Sequence, residues 1–205
     1  MRSSTIGHRV ELIKQKFRHS LGLPFQALLP EQLFEEALRA EGTRWRNRLF
    51  SPAVTVWAFL SQVVEQDNRC ASAVSRVMAW LAAEDQPLPS PDPSAYCQAR
   101  QRLPEGLFHR LLHTVSDRLQ AQVSKRQLWQ GHRVYLVDGS TTLLPDTPEN
   151  QAVYPQHANQ AAGCGFPLAR FVCLVSMDTA AAHDLQIGSY HTHELTLARA
   201  LYPQL

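Results

Sequence analysis

The sequence predicts an α+β protein: a helical N-terminal domain over residues 1–128, then a sheet-forming domain over residues 129–205. Two observations carry this. Up to Leu128, apolar residues recur at helical spacing between proline breaks and cap signals. From Gln127 on, β-branched and aromatic runs of strand length alternate with turn residues. Charge divides the chain at the same place. Residues 1–128 carry 17 Lys and Arg against 12 Asp and Glu, whereas residues 129–205 carry 3 against 6. A basic front and an acidic rear fit a DNA-contacting module followed by a metal-binding one.

Residues 1–30 are mixed, with Val10, Leu12, Ile13 and Phe17 at helical spacing and Pro24 and Pro30 as breaks. Glu31 to Glu41 reads as an amphipathic helix. Leu33, Phe34, Ala37 and Leu38 lie on one face, with Pro30 at the start and Gly42 at the stop. Arg44-Trp45-Arg46-Asn47-Arg48 follows, three arginines around one tryptophan. It reads equally as a phosphate-gripping loop, with Arg forks for the backbone, or as a solvated loop whose Trp packs on the core.

Ser51-Pro52 is a cap with proline in the first turn, and Val54, Trp57, Leu60 and Val64 form the stripe of the helix it opens. Asn68 is the expected cap of the next helix, whose stripe is Cys70, Val74, Val77 and Leu81. Four prolines between Gln86 and Pro93 make a tight loop. Asp92-Pro93 then opens a short helix, Ser94 to Arg102, and Pro104 starts another that carries Leu107, Leu111, Leu112, Val115 and Leu119. Two helices meeting at a proline-rich turn resemble a helix-turn-helix. For Gln98, Arg100 and Arg102 the composition favours surface exposure or phosphate contact over base reading.

In the rear domain, His132 to Val137 reads as a buried strand that ends in Asp138-Gly139, where a carboxylate sits either as a turn cap or as a metal ligand at the sheet rim. Residues 139–167 read as a long irregular segment. Pro167 to Met177 and His183 to Tyr190 read as a hairpin, with Asp178 and Asp184 as turn residues and Arg170 facing outward. Glu194 opens a helix, where its charge complements the dipole.

Other chemistry is poorly supported. Cys70, Cys97, Cys164 and Cys173 show no CxxC spacing and read as buried free thiols. His191 and His193 lack a third ligand, Asp146 and Glu149 belong to a proline-fixed loop, and Gly163-Cys164-Gly165 lacks the lysine of a phosphate loop. No apolar run approaches the roughly 20 residues of a membrane span, and the polar N-terminus lacks a signal-peptide core, so a cytoplasmic location is the expectation.

Four ordered segments carry a resemblance. They are Tyr96-Cys97-Gln98-Ala99-Arg100-Gln101-Arg102-Leu103-Pro104, Val137-Asp138-Gly139-Ser140-Thr141 with Leu144 to Asn150, Gly163 to Arg170, and Glu194 at a helix start. Together they resemble the insertion-sequence-4 family of DDE transposases over about residues 45–205. The resemblance implies an RNase H-like catalytic domain, of which three strands and the first helix fall within the chain. It implies Mg²⁺ or Mn²⁺ as cofactor, terminal inverted repeats and target DNA as partners, and a homo-oligomeric synaptic complex. Asp138 matches the first catalytic aspartate. The second aspartate and the glutamate are expected beyond Leu205. The expectation is therefore the front part of a transposase, inactive in cleavage alone, or else a non-catalytic DNA-binding or dimerising fragment that modulates the full-length enzyme.

Overall fold

The computed structural model describes residues 29–45, 48–65, 67–161 and 163–204. The expected N-terminal amphipathic turn at Val10–Phe17 and Arg46 lie outside these. The described residues fall into two compact units that divide between Phe108 and His109.

The first unit is helical. It contains α1 (Glu31–Ala40), α2 (Pro52–Val64), α3 (Cys70–Ala83), α4 (Ser94–Gln101) and the start of α5 (Glu105–Ala121). α1 ends as its sequence requires. Gly42 takes φ +64°, its N–H reaches Arg39 O at 3.1 Å, and the Thr43 N–H reaches Leu38 O at 3.0 Å. This pair of bonds closes the helix around a left-handed residue, a conformation glycine adopts without a Cβ penalty. α2 starts with the Ser51 hydroxyl accepting the Val54 N–H at 3.4 Å and Pro52 in the first turn.

Instead of a single apolar stripe, α2 buries every residue from Pro52 to Ala58. A helix whose first two turns are buried on all sides lies at the centre of its unit there, while its last turn, with Val63 exposed, reaches the surface. Phe50, Val54 and Ala58 pack with Val74, Val77 and Leu81 of α3 and with Tyr96 and Ala99 of α4. Fully burying a large apolar side chain contributes about 1.5–3 kcal/mol.

Asn68 does not cap α3. The N-cap is Arg69, with no side-chain cap bond. Just before the helix the Asp67 carboxylate takes the Arg69 N–H at 3.2 Å and the Ser72 hydroxyl at 3.0 Å, while the Arg69 guanidinium bonds it at 2.7 Å. The Arg69 side chain, helped by the Ser72 hydroxyl and the Arg69 backbone, lowers the Asp67 pKa to about 2.

The second unit carries the sheet. β1 (Tyr135–Leu143), β2 (Leu168–Ser176) and β3 (Ala182–Ser189) form an antiparallel meander in the order β1-β2-β3. Here three expectations are corrected. β1 does not stop at Gly139. Ser140, Thr141 and Thr142 pair with Phe171, Arg170 and Ala169, because threonine suits a strand as well as a turn. Nor is β1 buried, since Leu136 is 50% exposed and Val137 39%. The segment after it is not wholly irregular: α6 (Pro148–Val153) forms with the Thr147 side chain accepting the Asn150 N–H at 3.2 Å.

α7 (Glu194–Leu201) lays Leu197, Ala198 and Leu201 on Val172 and Leu174 of β2, with Tyr135 of β1 at the margin. Its N-cap is His193, whose side chain accepts the Leu195 N–H. No helix of the described residues is long and apolar enough to cross a membrane. The four cysteines are free; Cys164 is exposed and the others half-buried, not the fully buried thiols expected.

Candidate nucleic-acid interface and catalytic strand

In the first unit, residues far apart in sequence line one cleft of about 860 Å³. Arg44, Trp45 and Arg48 come from the loop before α2, Gln98 and Arg102 from α4 and its C-cap, and Asp92 and Ser94 from its N-terminal end. Trp45 packs beside the core, with its indole N–H bonded to Phe50 O at 3.1 Å. Arg44 is exposed, as its loop position allows. The Arg102 guanidinium lies over the Trp45 ring at 5.8 Å, and its Nε donates to Gln98 O at 3.0 Å. The cleft therefore gathers three arginines and one amide beside an anchored aromatic, with Asp92 as the opposing charge. Asp92 is itself engaged: it accepts the Ser94 hydroxyl and N–H, which lower its pKa.

Arg100 is not part of this group. It sits on the inward side of α4, where its Nη1 donates to Gln62 Oε1 at 3.0 Å and its guanidinium lies over Phe59 and Tyr96. Gln62 is buried and engaged at both ends of its amide. Its Oε1 also accepts the Tyr96 hydroxyl at 2.7 Å, and its Nε2 donates to Asn68 O at 2.6 Å. Burial pushes the Tyr96 phenol up to about 12, against the lowering effect of Arg100.

In the second unit, Asp138 is the fourth residue of β1, exposed, and paired across the ladder with Cys173. Side chains alternate along a strand, so Asp138 lies on the sheet face opposite Tyr135 and α7. Its Oδ1 accepts the Gly139 N–H at 2.9 Å, which leaves the other oxygen for a ligand. Gly139 points the other way, toward α7. A Cβ there would meet the Glu194 carboxyl carbon at 2.8 Å, so glycine permits the close approach of Glu194. The Asp138 carboxylate offers the oxygen donor that suits a hard divalent cation.

Two charged positions differ from their sequence readings. Asp184 is not a turn residue: it lies in β3 and is 3% exposed. The β2–β3 register shifts between Leu174 and Val175, so His183 and Asp184 stand opposite a single step of β2. Such a bulge re-aims the side chains of the bulged strand, and here both reach α5. Asp184 Oδ1 is 3.2 Å from His113 Nε2, and His183 Nδ1 is 2.8 Å from the Ser116 hydroxyl. Arg170 does not face outward. It donates to Thr192 O at 2.8 Å and stacks over Tyr190 at 4.9 Å, tying the β3–α7 loop to β2. Asp178 does lie in the turn after β2, as expected.

Residues 18–113, which contain the whole arginine cleft, match the family model described as insertion element 4 transposase N-terminal. Over 203 residues the chain is 27% identical to "Transposase InsG for insertion sequence element IS4" of Escherichia coli (strain K12). Both comparisons support a likeness to the IS4 transposases. The alignment covers 97% of the chain and 45% of that relative, so the chain spans about half the length of the curated protein it matches. No solved structure matches it.

One group of side chains goes beyond the sequence reading. His109 and His113 of α5 and Asp184 of β3 place ligand atoms within 4.8 Å of one another. The His-x-x-x-His spacing on a helix is a usable signal, because it puts both rings on one face. The third member is hidden by the bulge.

Proposed function

We propose that the chain forms the DNA-binding and first catalytic segment of an IS4-type transposase. In this reading the helical N-terminal region to about residue 128 binds and assembles on DNA, and residues from about 129 begin an RNase H-like domain. The observation that carries the reading is the cleft, which gathers Arg44, Arg48, Gln98 and Arg102 from two separate segments. Arginine forks match phosphate oxygens bidentately, and the Trp45 ring supports the Arg102 guanidinium. Duplex ends of the element, its terminal inverted repeats, are the proposed ligand, with target DNA joining later. A synaptic complex of two or more copies is the proposed assembly.

Asp138 is the proposed metal ligand. Bound there, Mg²⁺ or Mn²⁺ would supply Lewis-acid activation of an attacking oxygen and stabilisation of a leaving oxygen at phosphorus. The chain's own contribution is to mount one carboxylate on a rigid strand, with the Gly139 N–H holding one of its oxygens and leaving the other free to bind. The meander β1-β2-β3 followed by α7 is compatible with an RNase H-like start. A two-metal site needs further carboxylates beside Asp138, and without them Asp138 is expected to leave supercoiled plasmid uncut with Mg²⁺ or Mn²⁺. A non-catalytic fragment that binds DNA ends and modulates the full-length enzyme uses the same cleft. Gel-shift titration with element-end duplex tests the common core: Arg44→Ala/Arg48→Ala/Arg102→Ala is expected to weaken the shift, and an unaltered shift overturns the assignment of the cleft.

A further inference from the structure

A cluster of possible metal ligands lies on the other face of the sheet from Asp138. His109 and His113 are one helical turn apart on α5, and both are half-buried. Opposite them stands Asp184, whose side chain is 5% exposed. The ligand atoms of the three lie within 4.8 Å of one another. We propose that His109, His113 and Asp184 bind a borderline transition-metal cation of the Zn²⁺ class.

Geometry supports this. Two ligands about 2.0–2.1 Å from a tetrahedral zinc stand about 3.4 Å apart. His113 Nε2 and Asp184 Oδ1 are already 3.2 Å apart. The bulge in β3 fixes this approach, because it leaves a buried carboxylate aimed at the helix. Asp184 Oδ1 also accepts the Leu185 N–H at 2.7 Å, which sets the plane of the carboxylate. Neighbouring groups hold the floor of the site. The His183 ring packs 6.2 Å from that of His113, and its Nδ1 is taken by Ser116 and Gln120. Gln120 Oε1 is in turn bonded by Arg133 and by the Tyr135 hydroxyl at 3.2 Å. These bonds fix the His183 ring beside that of His113. Two imidazole nitrogens select Zn²⁺ over Mg²⁺, which prefers an all-oxygen shell. Three protein ligands leave a fourth position for water. The bound cation ties α5 to β3, and its existence does not depend on the DNA-binding reading of the other unit.

The test is calorimetric titration of the chelator-treated chain with ZnCl₂ and, separately, MgCl₂. One Zn²⁺ per chain is expected, with no comparable Mg²⁺ binding. His109→Ala and His113→Ala should each weaken Zn²⁺ by about tenfold or more, and Zn²⁺ should raise the Tm of the unsubstituted chain but not of His109→Ala. His109 is half-buried, so circular dichroism checks that its variant folds; if it does not, His109→Gln retains more of the ring's volume and replaces it. Co²⁺ loading should give ligand-field bands without sulfur charge transfer. Absence of Zn²⁺ binding, undiminished binding by both histidine variants, or a cobalt–sulfur band from any of the four cysteines overturns the proposal.

Discussion

Asp138 and Cys173 stand directly opposite each other in the β1–β2 ladder. Burial raises the pKa of the Cys173 thiol, and the charges of Asp184 and then Asp138 raise it further. Cys173 is thus a reporter beside the proposed metal ligand. Asp138→Asn removes a negative charge and is expected to lower the thiol pKa, so that iodoacetamide labels Cys173 faster near pH 8. Mass spectrometry of the Cys173 peptide separates it from Cys70, Cys97 and Cys164. An unchanged or slower rate would mean that the Asp138 charge does not act on this face of the sheet.

The Gln62 hub makes a prediction about stability. Tyr96→Phe deletes one buried bond but leaves Gln62 Oε1 with Arg100, and should cost about 1 kcal/mol. Gln62→Leu strips an acceptor from both the Tyr96 hydroxyl and the Arg100 guanidinium and should cost about 2–3 kcal/mol. Urea unfolding measures both. Equal costs for the two variants would show that Arg100 finds a replacement partner.

Asp67 gives a pH prediction. Its folded pKa, about 2, lies below the ordinary aspartate value of 3.8. A carboxyl depressed on folding contributes stability that is present above its unfolded pKa and lost as pH falls through the folded one. The window therefore runs from about pH 4 down to about pH 2. In Asp67→Asn the loss of thermal stability across that window should be shallower than in the parent. In a carboxyl-carbon NMR titration, Arg69→Ala should move the Asp67 midpoint back toward 3.8; a midpoint that stays near 2 would assign the shift to Ser72 instead.

How much is legible in the sequence follows from where each determinant lies. Gly42 and Ser51-Pro52 act within one helical turn, so their sequence signals and their observed roles coincide. The strand β1 is legible but its extent is not, because Ser140, Thr141 and Thr142 serve turns and strands alike and only the pairing with β2 decides. Arg100 and Arg102 look equivalent in sequence, yet α4 sends one inward to Gln62 while the other lies over Trp45. That difference depends on which face of an eight-residue helix meets α2, which local periodicity leaves open. Asp184 reads as a turn residue because its burial comes from a bulge, a property of the register between two strands. The likeness to IS4 transposases rests on residues 18–113 and on the alignment with InsG. Arg44, Arg48, Gln98 and Arg102 share a cleft only once the chain is folded.

The measurement that tests the central claim most directly is the salt dependence of DNA affinity, by fluorescence anisotropy on element-end duplex. Removing one phosphate-binding side chain should reduce the slope of log K against log salt by about one. Arg44→Ala/Arg48→Ala/Arg102→Ala is therefore expected to weaken binding and to flatten the slope by about three relative to the parent. Parent and triple variant with the same slope, or a parent with no salt-dependent affinity for duplex DNA, would contradict the account.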